Sequence, residues 1–209
     1  GNHGKISKDF FYGRGINVAE QLIGKVLKNE ENNSSGIIVE TEAYLGENDP
    51  SCHFAKNKEG KRGKIFNKGA GTLYVYNIHT HNCMNFISDF KGNPEGILIR
   101  AVKPVKGIEE MKQRRGFEEE TKLASGPGKL TEAIGITKQK HNGMKLSESP
   151  ISIYETERCY NVEVSSRIGI SEAKDWPARF YAKGSSYVST TSDQKDTDFD
   201  FNSYYTNLE

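Results

Sequence analysis

The stretch IIVETEAYLG, Ile37 to Gly46, has the β-branched run of a buried strand, yet it carries two carboxylates, Glu40 and Glu42. A Ser/Gly turn leads into it, so a strand is predicted here. Side chains alternate across a strand: Ile38, Glu40, Glu42 and Tyr44 then share one face, and Ile37, Val39, Thr41 and Ala43 the other. Three readings of the acids fit. They are solvated if the apolar face packs inward. They line a polar cleft, where a carboxylate serves as general base or steadies a developing cation. Or, paired on one strand, they hold a metal ion. Spacing alone does not choose among them.

The flanking segments predict a mixed architecture. In GINVAEQLIGKVLKN, residues Ile16, Val18, Ala19, Leu22, Ile23, Val26 and Leu27 fall at helical spacing, which predicts one amphipathic helix. From Gly46 to Gly71 the chain is polar and rich in Gly and Lys, a long loop of the kind that is often functional. GTLYVYNI and EGILIRAVKPV read as strands; the first leads into HTHNCMNFIS, and a GNPEG turn precedes the second. GIEEMKQRRG is a short helix stopping at Gly116, and SGPGKLTEAIGI a turn followed by a helix. SPISIYE and RFYAKGSSYVS are predicted strands, the latter with a tight turn at Gly184-Ser185-Ser186. No repeat, Pro-rich linker or break in composition divides the chain, so residues 1–209 are expected to form a single domain. The stretch from about 190 to 209 is acidic and aromatic, and is expected to be loosely held. Strands outnumber helices and alternate irregularly with them, an α+β pattern rather than regular βαβ units.

Charge is informative only locally. Twenty-nine bases and 28 acids leave a net charge of +1, which favours no partner. Between Lys56 and Lys68, however, six bases face one acid, which suits an anionic partner or a solvated loop. Cys52, Cys83 and Cys159 form no CxxC pair, so neither a disulfide framework nor a zinc ribbon is indicated, and a reducing intracellular (cytoplasmic) compartment fits. No apolar run approaches the roughly 18 residues of a spanning helix, and no signal-peptide h-region opens the chain.

Rings gather near the acidic strand: Tyr44, Tyr74 and Tyr76 with His53, His79 and His81. Each has an ordinary reading as a sheet or surface residue. His79 and His81 can ligate a metal from one face of a strand. Alternatively, the rings stack on planar bases beside a basic loop that holds phosphates. SGPGKL, Ser125 to Leu130, lacks the GxxxxGK[ST] spacing and is no nucleotidase loop. A Gly-Pro-Gly turn with Lys129 at a helix start can still contact a phosphate, or be a plain helix entry.

Taken in order, GIIVETEAYLG, a His nine residues after Tyr44, GTLYVY…CMN, GILIRAVKP, SGPGKL, SRIGI and RFYAKGSSYVS resemble the alkyladenine (3-methyladenine) DNA glycosylase family from about Gly15 to Ser189. The resemblance implies a curved antiparallel sheet flanked by helices, with the 76-to-85 hairpin entering the DNA minor groove. It implies a monofunctional, monomeric enzyme of base-excision repair that needs no metal or cofactor and no obligate protein partner. Such an enzyme flips a damaged purine out of duplex DNA and hydrolyses its N-glycosidic bond. Glu42 then matches the general base, with Arg100 and the backbone carbonyl of Ile168 as the other groups holding the water. Tyr44 matches the ring on one face of the flipped base, with His53 and Tyr76 on the other. Asn85 matches the residue that crowds the 2-amino group of guanine. One departure stands out: YVYNIHTHNCMN is one residue shorter than the family block, with His79 where a wedging Tyr stands. His79 is expected to wedge, assisted by His81. Lys61, Arg62, Lys64, Lys68, Lys129 and Lys138 are candidate phosphate contacts. Two rival readings remain at this stage: a metal-dependent nuclease or phosphoesterase using Glu40, Glu42, Asp49 and His53, and a non-catalytic module that recognises damaged DNA.

Overall fold

The computed structural model describes residues 4–52, 59–157, 159–190 and 199–206. Strands β1 (Val26–Asn29), β2 (Ser34–Tyr44), β3 (Leu73–Ile78), β4 (His81–Phe90), β5 (Asn93–Lys106), β6 (Ile151–Tyr154), β7 (Val162–Ser165) and β8 (Arg179–Ala182) build one sheet. Its order is β3-β4-β5-β2-β1-β6, with β8 on β2 and β7 on β8, and these pairings are antiparallel. Helices flank this strongly curled sheet in a single α+β domain.

Strand β2 is the hub. Along one edge it runs beside β5; along the other it pairs with β1 from Ser34 to Ile37, then with β8 from Glu40 to Glu42. Two irregularities mark the changeover. Ile38 and Glu40 oppose the consecutive Val102 and Ala101, so Val39 is an extra residue on β2. Glu40 and Thr41 oppose Ala101 and Ile99, so Arg100 is an extra residue on β5. Bulges of this kind re-aim side chains. The alternation predicted from Ile38 onward is therefore interrupted at Val39 and resumes from Glu40 to Tyr44.

One face of the sheet carries the main core. Helices α1 (Gly15–Leu22) and α4 (Pro127–Ile134) supply the fully buried Ala19, Leu22, Leu130 and Ile134 to sheet residues such as Phe86, Ile97 and Ile99. Thr41 fixes the facing, because its hydroxyl donates to the Ala19 carbonyl at 2.8 Å. Each large aliphatic or aromatic side chain so buried stabilises the fold by about 1.5–3 kcal/mol. The opposite face carries a smaller cluster of Cys52, Phe66, Tyr74 and Ile87, with Tyr44, Ile65 and Tyr76 against it.

Several predicted boundaries shift. The single helix expected over Gly15–Asn29 ends at Leu22, because Gly24 turns the chain at φ +95° and its amide donates to the Ile38 carbonyl. A Cβ there would meet the Tyr160 ring at 2.7 Å, so glycine is required on two counts. Val26–Asn29 then pairs as a strand, with Leu27 and Asn29 inward. The Gly46–Gly71 loop contains helix α2 (Lys61–Phe66), which buries Phe66. RFYAKGSSYVS is a strand only to Ala182. Short helices α3 (Ile108–Arg115) and α5 (Lys138–His141) precede the last element, α6 (Phe201–Thr206). Part of the stretch expected to be loose is packed: Tyr205 is fully buried and donates to Glu95 at 3.0 Å, and the Tyr204 hydroxyl donates to the Leu45 carbonyl. The remainder of that stretch (191–198 and 207–209) lies outside the described residues. Among the described residues, no helix is long and apolar enough to cross a membrane.

Candidate active site

Register assembles the site. Reading straight across the sheet, Tyr74 lies opposite Asn85, Asn85 opposite Leu98, Leu98 opposite Glu42, and Glu42 opposite Arg179. Directly opposed residues point to the same face, so residues from five strands meet in one row. The next row places Tyr76 opposite Cys83. Above this floor opens a cleft of about 310 Å³, walled by Tyr44, Tyr76, Asn77, Ile78, Arg62, Pro127 and the Ile168–Ile170 segment.

Glu42 is 0% exposed and lies behind the cleft, whose lining includes its neighbours Tyr44, Arg100 and Ile168. Its Oε2 accepts the Ile168 N–H at 2.7 Å, and its Oε1 accepts the Tyr44 hydroxyl at 2.9 Å. The Arg100 guanidinium stands 3.4 Å from Oε1, a charge contact more than a tight hydrogen bond. Burial pushes the Glu42 carboxyl above the usual carboxylate range, against the opposing pull of Arg100, the Ile168 amide and the Tyr44 hydroxyl. Such a carboxylate is desolvated, oriented and more basic than one in water. Burial also drives the Tyr44 hydroxyl well above its ordinary range, so it stays a donor. Expectation assigned the Ile168 carbonyl to a water; the contact formed here is its N–H to Glu42.

Tyr44 has a built foundation. The Arg167 guanidinium lies 4.8 Å from its ring centroid and 5.3 Å from that of Trp176, between the two. Arg167 is in turn held by Asp49, Nη1 to Oδ2 at 2.5 Å and Nη2 to Oδ1 at 3.1 Å, and it donates to the Ala43 carbonyl at 3.1 Å. Neither partner of this ion pair is exposed. Asp49 also accepts the amides of Leu45 and Ser51. Opposite, Tyr76 lies 5.4 Å from Tyr74 centroid to centroid, and burial pushes the Tyr74 hydroxyl up to about 12. Asn85 is buried beneath, its Nδ2 donating to the Tyr74 carbonyl.

The β3–β4 hairpin rims the cleft. His79 sits at the exposed tip with φ +56°, a left-handed conformation unusual for a residue with a side chain. His81 is exposed but packs beside the GPGK turn: a Cβ on Gly128 would lie 2.7 Å from the His81 Cβ. The hairpin is further tied by Asn82, whose carbonyl accepts Thr131 Oγ1 and whose Oδ1 accepts the Lys138 amide. The two histidines are thus unequal, one at a free tip and one against α4. Ile78, 46% exposed, belongs to the same alternating face as Tyr74 and Tyr76. Arg62, Lys64, Lys129 and Lys138 are exposed; Arg62 lines the cleft, whereas the Lys68 ammonium donates to the Gly143 carbonyl. His53 lies outside the described residues.

Sequence reasoning missed Arg167, Arg179 and Ile78. Only Ile78 had a readable signal, the alternation Tyr74-Tyr76-Ile78 running past the end of the apolar core. The acids of the metal reading are committed elsewhere: Asp49 to Arg167, and Glu40 to Arg179 and Ser189. Among the described residues, no group of three His, Cys, Asp or Glu side chains could hold a metal ion.

A family model described as methylpurine-DNA glycosylase (MPG) matches residues 9–186. A protein of Oceanobacillus iheyensis is 42% identical over 193 residues, covering 90% of this chain and 97% of its own. One of Methanoculleus marisnigri is 41% identical, covering 86% and 96%. One of Clostridium novyi is 39% identical, covering 88% and 98%. All three bear the name "Putative 3-methyladenine DNA glycosylase".

Proposed function

The chain belongs to the methylpurine-DNA glycosylase family and is a DNA glycosylase, a hydrolase of base-excision repair; on that premise we propose that its Glu42 cleft excises damaged purines flipped out of duplex DNA. One observation carries the reading: a fully buried carboxylate, hydrogen-bonded to Tyr44 and the Ile168 amide, lies directly behind a cleft whose lining includes Tyr44, Ile168 and Arg100. In this reading Glu42 takes a proton from water as the glycosidic bond breaks, and its charge steadies the cationic sugar. Arg100 keeps the carboxylate ionised and orients the water. N3- or N7-alkylation makes the purine cationic, hence a good leaving group that gains from stacking between Tyr44 and Tyr76. Neutral deaminated or etheno purines are further substrates in the proposal, carried by the same slot. Asn85 excludes guanine by crowding its 2-amino group.

The hairpin enters the minor groove, with His79 filling the gap left by the flipped base; its exposed tip position supports this over His81, which leans on Gly128. Lys129, Lys138, Arg62 and Lys64 meet phosphates, and salt dependence of binding counts how many engage. His53, by resemblance, closes the slot beside Tyr76. The enzyme acts as a monomer on double-stranded DNA, without metal or cofactor and without a lyase step.

A duplex carrying a single hypoxanthine, scored as alkali-labile abasic sites with EDTA present, tests the reading. Wild type produces such sites and Glu42→Gln does not. Product persisting with Glu42→Gln overturns the base assignment, activity abolished by EDTA favours a nuclease, and binding without release of base favours a recognition module.

A further inference from the structure

Glu40 has a place in the site that the resemblance leaves without a role. It is 0% exposed and two residues from Glu42 on the same face. Its Oε1 accepts the Ser189 amide at 2.7 Å; its Oε2 accepts the Ser189 hydroxyl at 2.9 Å and Arg179 Nη1 at 2.9 Å. Arg179 is itself fully buried, with Nε on the Ser166 carbonyl. On its other side Glu40 Oε2 lies 3.5 Å from Arg100 Nε, while Arg100 Nη1 faces Glu42. Four buried charges therefore alternate in a chain: Arg179, Glu40, Arg100, Glu42. Arg100 Nε is buried and makes no hydrogen bond among the described residues, so the attraction of Glu40 is what holds that side of the guanidinium.

We propose that Glu40, clamped by Arg179 and Ser189, is a positioning residue that holds Arg100 back from closing fully onto Glu42. The proposal rests on the reading of Glu42 as the base. Arg100 shared between two carboxylates leaves a lone pair of Glu42 available to water. Arg100 released to Glu42 alone would form a bidentate pair, the preferred geometry of guanidinium and carboxylate, and occupy that lone pair. The groups facing Glu42 are Arg100 from β5, Tyr44 and Glu40 from β2, Tyr76 from β3, Arg179 directly opposite on β8, and the Ile168 amide; Glu40 is the carboxylate that opposes the effect of Arg100. Bulging at Val39 and Arg100 is what brings the two acids and the arginine to this arrangement.

Single-turnover excision of hypoxanthine at saturating enzyme, followed through the acid limb of the pH profile, tests this. Glu40→Gln is expected to lower the maximal rate by about ten- to a hundredfold, part of the 10²–10⁴ contributed by a positioned base. Its acid limb should move to lower pH by roughly half a unit to one unit, because Glu42 then feels Arg100 undiluted. Ser189→Ala keeps every charge and the backbone bond, and loosens only the clamp. Glu40 then leans toward Arg100, so the limb should move slightly the other way, with a rate loss of about two- to fivefold. Half-saturating enzyme concentration should stay unchanged in both. Opposite limb shifts support the proposal; a uniform rate loss with unmoved limbs, or wild-type profiles in both variants, overturns it. Should Glu40→Gln fail to fold, the Ser189→Ala shift decides alone, upward for and absent against. Glu42→Gln, run beside them, separates failure of the base assignment from failure of this one.

Discussion

Removing Arg167 should cost the fold and the pocket together, and the structure gives the size of each effect. The Arg167–Asp49 pair is fully buried and bidentate. Breaking such a pair from one side strands the other charge and typically costs about 3–5 kcal/mol. Asp49 keeps two backbone amides after Arg167→Met, which favours the lower end, about 3 kcal/mol. At roughly 2–4 °C per kcal/mol for a domain of this size, melting should fall by about 6–12 °C. Asp49→Asn should cost a similar amount, since it strands the arginine. The double variant should cost clearly less than the sum, with a coupling of about 2 kcal/mol, because neither charge is then left alone. The pocket effect comes through Tyr44, which loses the cation beneath its ring, a contact worth roughly 1–2 kcal/mol when desolvated. Half-saturating enzyme concentration for a hypoxanthine duplex should therefore rise about five- to tenfold in Arg167→Met at a temperature where it is still folded. Thermal melts of the four proteins and single-turnover titrations give both readouts. Strict additivity in the double variant, or a melting shift below about 2 °C for Arg167→Met, would refute the reasoning.

Glu95 is buried and its carboxyl pushed from 4.5 up to about 8, burial outweighing the bonds from Gly15 and Tyr205. Its folded value lies above its unfolded one, so the native state holds the extra proton. Stability from this group is therefore full below the unfolded value and declines toward pH 8, by at most about 1.4 kcal/mol per pH unit. Melting curves of Glu95→Gln should lack this decline; equal slopes in both proteins would contradict it. Gly128→Ala drives a Cβ to within 2.7–2.9 Å of His81, an overpacking of about 1–3 kcal/mol that displaces the hairpin, so melting should fall by roughly 2–12 °C and binding to damaged duplex should weaken about fivefold, about 1 kcal/mol. His79→Ala should weaken the same binding more than His81→Ala, and the reverse order would sink the tip assignment.

Much of the site is legible in a single strand, and the limit of that legibility has a physical cause. Period two correctly sets Glu40, Glu42 and Tyr44 on one face, because the bulge between Glu40 and Thr41 lies on β5 and β2 pairs without interruption with β8 from Glu40 to Glu42. It fails for Ile38, since a bulge at Val39 has no sequence signature in a run of β-branched residues. The helix expected to continue through Val26 and Leu27 fails at Gly24: the spacing of apolar residues was compatible with both periods, and a single left-handed glycine decided. Arg167 and Arg179 lie more than a hundred residues from the acids they neutralise, so no local pattern could pair them. Yet their existence follows from burial. A strand that buries two carboxylates with no exposure must bring cations with it, because a lone buried charge is too costly to persist. Burial shows that the acids need partners; only the register of β2 with β5 and β8 shows that Arg100 stands between them, which gives two acids of identical type different surroundings.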